Sequence, residues 1–242
     1  MSKRPARSNF QVHSLPRQVA WFAGLSTFVL IATVTLEHSD ADLFQRFFGD
    51  YSPLLIVFSL VGLGAASLVF LNAHAHATVA TPAVWGRALL FSVIGASLFV
   101  VPTILVDILQ PFPEHLNVMP PPALLFYPVM GFVVEVLFHL LPLSLALFVL
   151  NYVLPFGDVS RRFWVAACVA AALEPAFQVW VGLAREGLTW KSVYLGGHLF
   201  LFGLVQLYVL KSFGFVHMFL FRMVYYLHWH ILWGALRLSL LF

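Results

Sequence analysis

Seven apolar stretches, each long enough to cross a bilayer, dominate the sequence: residues 18–36, 53–72, 87–109, 122–153, 163–184, 192–210 and 213–241. A hydrocarbon core of roughly 30 Å takes about twenty helical residues. The runs are continuous rather than alternating, which points to helices and away from a membrane β-barrel. The chain therefore reads as an all-α, polytopic membrane protein of about seven transmembrane helices. Composition agrees: 61% of residues are hydrophobic and 10% are charged, against about a half and a quarter in soluble domains. The fourth and seventh runs are longer than a single crossing needs, so a tilt, a kink or an interfacial turn is expected in each. Pro128 and Pro142 are the kink positions in the fourth.

The ends of the segments carry the orientation. The N-terminal residues 1–17 are basic and polar, and the first apolar run ends in "TLEHSD" without a small-residue cleavage site, so it reads as a first span rather than a signal peptide. With residues 1–17 as a cytoplasmic tail and 18–242 as one helical membrane domain, nine basic residues fall inside: Lys3, Arg4, Arg7, Arg17, Arg87, Arg161, Arg162, Lys211 and Arg222. Four fall outside: Arg46, Arg185, Lys191 and Arg237. This bias predicts a cytoplasmic N-terminus, in an integral protein of the bacterial inner membrane. Residues 110–122, rich in proline, form an outer loop. No basic stripe suggests nucleic acid. The single cysteine, Cys168, has no internal disulfide partner.

Two acids do not belong in such a chain. Glu135 and Glu174 fall inside apolar runs, whereas every other acid sits in a loop or at a segment end. A carboxylate at that depth costs several kcal/mol unless protonated, paired or hydrated, so a functional role is the first hypothesis. Glu135 and His139, four apart, share a helix face. His198, His228 and His230 add imidazoles on two later helices. At ~1.5 Å of rise per residue, Glu135, Glu174, His198 and His230 all lie in the middle-to-outer bilayer. That agreement predicts one shared polar cavity. His228 and His230 are about 200° apart on a helix, so only one faces inward; His230 is the candidate. Gln178, one turn past Glu174, reads as interhelical glue, and His74 and His76 in "NAHAHAT" as part of a cytoplasmic loop.

Four short motifs carry a resemblance: "EVLFH" with Glu135 and His139, "VAAALEPAFQ" with Glu174, "HLFLFG" with His198 and Gly203, and "HILWG" with His230 and Trp233. Their order over residues 122–236 resembles the PrsW-type intramembrane proteases, and more distantly the CAAX-processing and bacteriocin-processing glutamic proteases. This chain departs from the pattern at Val136, where a second Glu is expected, at His139 in place of Lys, and at Gly234 in place of Asn or Asp.

The resemblance implies hydrolysis of a membrane-anchored protein. Glu135 would be general base, His198 and His230 would orient water and stabilise the oxyanion, Glu174 would complete the site, and His139, His228 and Gln178 would support it. It leaves open a divalent metal such as zinc on His198, His230 and Glu174. Two other readings stand beside it. One is a non-hydrolytic metalloprotein with iron, zinc or haem. The other is a non-catalytic subunit or pseudoenzyme held among partner subunits.

Overall fold

Helix ends are set by local chemistry that the sequence displays. Ser52 caps one helix by accepting the Leu55 N–H at 3.3 Å, with Pro53 in the first turn. Thr189 caps another by accepting from Ser192 N at 3.2 Å. Gly214 separates the last two helices at φ +101°, and a Cβ there would sit 2.9 Å from the Val79 carbonyl, so only glycine serves.

The computed structural model describes residues 15–40, 42–155 and 157–242, apart from the side chains of 182–186. Most of the basic N-terminal tail lies outside the described residues. Eight helices make up the described chain: α1 (Leu15–Ser39), α2 (Asp42–Phe48), α3 (Pro53–Ala73), α4 (Trp85–Leu109), α5 (Ala123–Val153), α6 (Val159–Glu186), α7 (Trp190–Phe213) and α8 (Phe215–Leu241). There is no strand among the described residues. Six of the helices are long and apolar enough to cross a membrane. This is an all-α, polytopic integral membrane protein.

The seventh expected span, α8, is long enough but less apolar. It carries Arg222, Arg237, His217, His228 and His230, and it can because both arginines have buried carboxylate partners on other helices. It packs against α4, α5 and α7, and Phe215, Met218, Phe221, Arg222 and Arg237 are fully or almost fully buried. The outer faces of the other helices are apolar and open. Ile31, Phe58, Val69, Leu90 and Leu98 are examples, together far more exposed apolar surface than a soluble monomer tolerates.

The two over-long segments hold the irregular turns. α5 widens into a π-helical turn at Glu135–Leu140 and again at Val149–Val153, and α8 does so at Leu227–Trp233. The first has a visible cause. Pro142 cannot donate to the Phe138 carbonyl, and its ring crowds that oxygen, so the preceding turn opens and Leu141 N bonds back to Val136 O. Pro128 sits inside α5 as well.

The loops gather at two ends. At one, Gln18 Nε2 donates to Ala80 O at 2.8 Å and its Oε1 accepts from Val79 N at 2.7 Å, while Phe215 N bonds Thr78 O at 3.0 Å. At the other, the proline-rich loop of residues 110–122 is pinned by side chains. Arg46 donates to His115 O, Lys191 to Pro111 O, and Val118 N to the Tyr127 hydroxyl.

A buried ion pair closes that end. Arg237 Nε donates to Asp107 Oδ2 at 2.6 Å and Nη2 to Oδ1 at 2.9 Å. Trp233 Nε1 and Phe112 N complete the carboxylate, each at 2.7 Å. Asp107 and Arg237 stand near the ends of their apolar segments in the sequence, yet both have 0% exposure. Removing one partner of such a pair typically costs ~3–5 kcal/mol. Arg237→Met should therefore lower the thermal unfolding midpoint of the detergent-purified protein sharply, and adding Asp107→Asn should recover much of the loss.

Candidate functional site

Glu135 is delivered by the π turn of α5, and Glu174 by the middle of α6, one residue before Pro175. Both are buried. Between them stands the guanidinium of Arg222 from α8. Its Nε donates to Glu135 Oε1 at 2.6 Å, its Nη2 to Glu174 Oε2 at 2.9 Å and its Nη1 to Glu174 Oε1 at 3.2 Å. The contact with Glu174 uses two N–H groups and both oxygens, the fork geometry that suits arginine and not lysine. Gln206 of α7 closes the ring: Arg222 Nη2 donates to its Oε1 at 2.8 Å, and its Nε2 donates to Glu135 Oε1. Gln178 donates to Glu174 Oε1 at 3.3 Å, and Arg222 Nη1 to the Tyr226 hydroxyl at 3.2 Å. Four helices thus meet at one buried charge cluster.

His139 completes it. Nδ1 lies 3.1 Å from Glu135 Oε2 and Nε2 lies 3.9 Å from Glu174 Oε2. Neither ring nitrogen, nor Glu135 Oε2, has an aligned hydrogen-bond partner. Gly203 of α7 makes room for the ring, since a Cβ there would come 3.1 Å from His139 Nε2. That explains the glycine of the "HLFLFG" motif by packing. Two carboxylates and one guanidinium carry one formal negative charge between them, with the His139 imidazole beside both acids.

The expected shared cavity forms only in part. Glu135, Glu174, His139 and Gln178 come together. His198 does not join them, because Phe202 lies between. The ring of Phe202 is 5.3 Å from Phe99 on the His198 side, and the Arg222 guanidinium lies 5.4 Å from the same ring. His198 belongs instead to a hydroxyl network with Thr103, Tyr194 and Tyr225. His230 is part-buried, as is His228; its Nδ1 pairs with Asn117 Oδ1 at 2.7 Å and its ring stacks on Tyr127. It touches the cluster edge-on through Tyr226 and makes no hydrogen bond or ion pair with either carboxylate. His228 Nδ1 donates to Val224 O of its own helix. At the other end, His74 is held by Phe70 O and the Tyr152 hydroxyl.

The suggested metal set of His198, His230 and Glu174 is therefore divided among three places. Among the described residues no three His, Cys, Asp or Glu side chains converge as metal ligands. The described residues do not fit a metal centre.

Two members of the cluster are absent from the sequence motifs. In the sequence Arg222 reads as a basic residue at the cytoplasmic end of its segment, and Gln206 carries no charge to mark it. Arg222 could have been found from its place inside an over-long run that also presents Tyr226 and His230 at four-residue steps. Val136, where a second acid is expected, is fully buried and packs against Gly64 of α3 with Phe22 close by. Comparison with family models finds none that matches the chain, and no curated protein and no solved structure matches it.

Removing the cation should expose the cluster's energetics. Arg222→Met strands two carboxylates and should destabilise by at least the ~3–5 kcal/mol typical of a broken buried pair. Glu135→Gln and Glu174→Gln introduced together into that variant should restore much of it. Val136→Glu puts a carboxylate in an apolar niche and should lower the unfolding midpoint strongly.

Proposed function

We propose that this chain is an intramembrane hydrolase that cuts a peptide bond of a membrane-anchored protein, with Glu135 as general base. The observation that carries this reading is the asymmetry of the Glu135 carboxylate. Oε1 is taken by Arg222 and Gln206, whereas Oε2 faces His139 with no aligned hydrogen bond on either side. A buried carboxylate oxygen and an imidazole at 3.1 Å are the donor and acceptor set that holds and polarises one water. Oε2 takes a proton from that water as its oxygen attacks the scissile carbonyl carbon. The carboxyl then returns the proton to the leaving amine. Arg222 and Tyr226 are the donors nearest to stabilise the oxyanion. In this scheme His139 and Arg222 take the parts that the resembling family gives to histidines of later helices, and Glu174 keeps the guanidinium in place.

The same reading puts the protein in a bacterial inner membrane with its N-terminus in the cytoplasm. The substrate is a single-span or signal-like segment, and partner subunits are compatible with it. The orientation rests on the bias of basic residues. Without Arg222 and Arg237, both buried in ion pairs, nine against four becomes eight against three, so the bias keeps its sign.

One observation favours a second reading, a non-catalytic membrane subunit. Glu135 and His139 are wholly buried, and a guanidinium already fills the space between the carboxylates. A cluster of that kind also serves as a helix-to-helix lock.

Glu135→Gln separates the two. It keeps the shape of the side chain and removes the basic oxygen. The hydrolase reading expects cleavage of reconstituted single-span proteins to fall by about 10²–10⁴-fold, with a smaller change in unfolding midpoint than Arg222→Met produces. Cleavage undiminished in the variant rules out Glu135 as base. A wild-type protein that cleaves nothing, with Glu135→Gln unfolding as readily as Arg222→Met, establishes the lock.

A further inference from the structure

We infer that the groove between α4 and α7, with His198 at its head, is a binding site for a neutral, ring-bearing membrane lipid of the quinone class. The inference is independent of hydrolysis, since His198 lies outside the Glu135 cluster.

The groove is a shallow depression of about 540 Å³, largely open to its surroundings. Its walls are Leu98 and Pro102 of α4 and Val193 and Leu201 of α7. Leu98, Val193 and Leu201 are more than half exposed, so the groove opens through the lipid-facing surface. A ligand reaches it from within the bilayer, and that selects molecules with a long apolar tail.

The head end selects the rest. Thr103 Oγ1 lies 3.1 Å from the Tyr194 hydroxyl, 3.2 Å from His198 Nε2 and 3.2 Å from the Tyr225 hydroxyl. The Tyr194 hydroxyl lies 3.2 Å from His198 Nδ1. Of these groups Tyr194 and His198 line the groove; the Tyr194 hydroxyl can turn its O–H from His198 to a ligand oxygen, and Thr103 and Tyr225 stand behind the imidazole as its buried partners. None of these groups is an acid, a lysine or an arginine, so nothing there offsets the charge of a phosphate or carboxylate head. The matching head is neutral. Pro102 adds an acceptor, because it has no N–H to give the Leu98 carbonyl and both residues line the groove.

Ring geometry narrows the class further. Tyr194 stacks on His198 at 5.2 Å and 28°, and Phe99 meets His198 edge-on at 5.4 Å. Aromatic faces and edges at the polar end suit a flat ring. A ring with carbonyl or hydroxyl oxygens at its rim uses both the stacking and the hydroxyls, whereas a glycerol ester uses only the latter.

The test is calorimetric binding of decylubiquinone to the full chain in phosphatidylcholine nanodiscs, with empty nanodiscs subtracted. Two variants accompany the wild type. Gly197→Leu fills the groove from a position where a Cβ meets nothing within 4 Å, so the fold should be unchanged. His198→Phe keeps a ring and removes both nitrogens. The expected result is saturable, one-site binding to the wild type, lost in Gly197→Leu and weakened about tenfold in His198→Phe. Should Gly197→Leu fail to fold, the His198→Phe comparison decides alone. Heat no greater than that of empty nanodiscs, or equal binding by His198→Phe, overturns the site. Displacement by dioctanoylglycerol at the same concentration as by a second quinone overturns the quinone class.

Discussion

The guanidinium of Arg222 between the carboxylates of Glu135 and Glu174 is the interaction on which the bundle depends. Each of the three ions alone would cost several kcal/mol in a dry interior. Together they are tolerable only at hydrogen-bond distance, so α5, α6 and α8 have little freedom to slide or rotate against one another. Gln206 ties α7 to the same point. The local backbone is shaped to fit. The π turn before Pro142 presents Glu135 and His139 on one inward face, and Gly203 lets α7 close on the imidazole. The cluster thus specifies register in a setting where lipid tails are as apolar as leucine and the hydrophobic effect alone cannot.

A second ion pair, Asp107 with Arg237, repeats the device at the loop end of the same helix. Arg222 and Arg237 both hang from α8, and both are buried. The arrangement is coherent: both arginines of α8 are buried where carboxylates of α4, α5 and α6 meet them, and the outward faces of the helices are apolar. The chemistry proposed at Glu135 uses the one carboxylate oxygen this network leaves without an aligned partner.

Much of this was legible in the sequence. Continuous apolar runs gave helix limits within a few residues of those observed, since twenty-odd apolar residues in a row have few alternatives in a bilayer. Glu135 and Glu174 stood out because acids are rare at that depth. Arg222 was misread because the rule for basic residues counts distance along the chain from a segment end. It cannot tell a lysine that reaches water from an arginine that turns inward to an acid. Gln206 carries no charge to draw notice. The grouping of His198 with the acids rested on depth and on the resemblance of the "HLFLFG" motif, and depth says nothing about azimuth. A single aromatic side chain, Phe202, was enough to part them. His230 was preferred to His228 because it begins the His-x-x-aromatic motif; both rings are part-buried, His230 against Asn117 and Tyr127 and His228 against its own helix.

The central claim is a contact, and solid-state NMR measures it directly. In full-length protein reconstituted in lipid, with ¹⁵N-labelled arginine and ¹³C-labelled glutamate, a guanidinium nitrogen should show dipolar coupling to two different side-chain carboxyl carbons at hydrogen-bonded range. Both couplings should vanish in Arg222→Lys, which carries no guanidinium at that position. A spectrum in which the wild-type and Arg222→Lys proteins show the same arginine–glutamate couplings would contradict the account, since it would leave the two buried carboxylates without the cation that holds the bundle together.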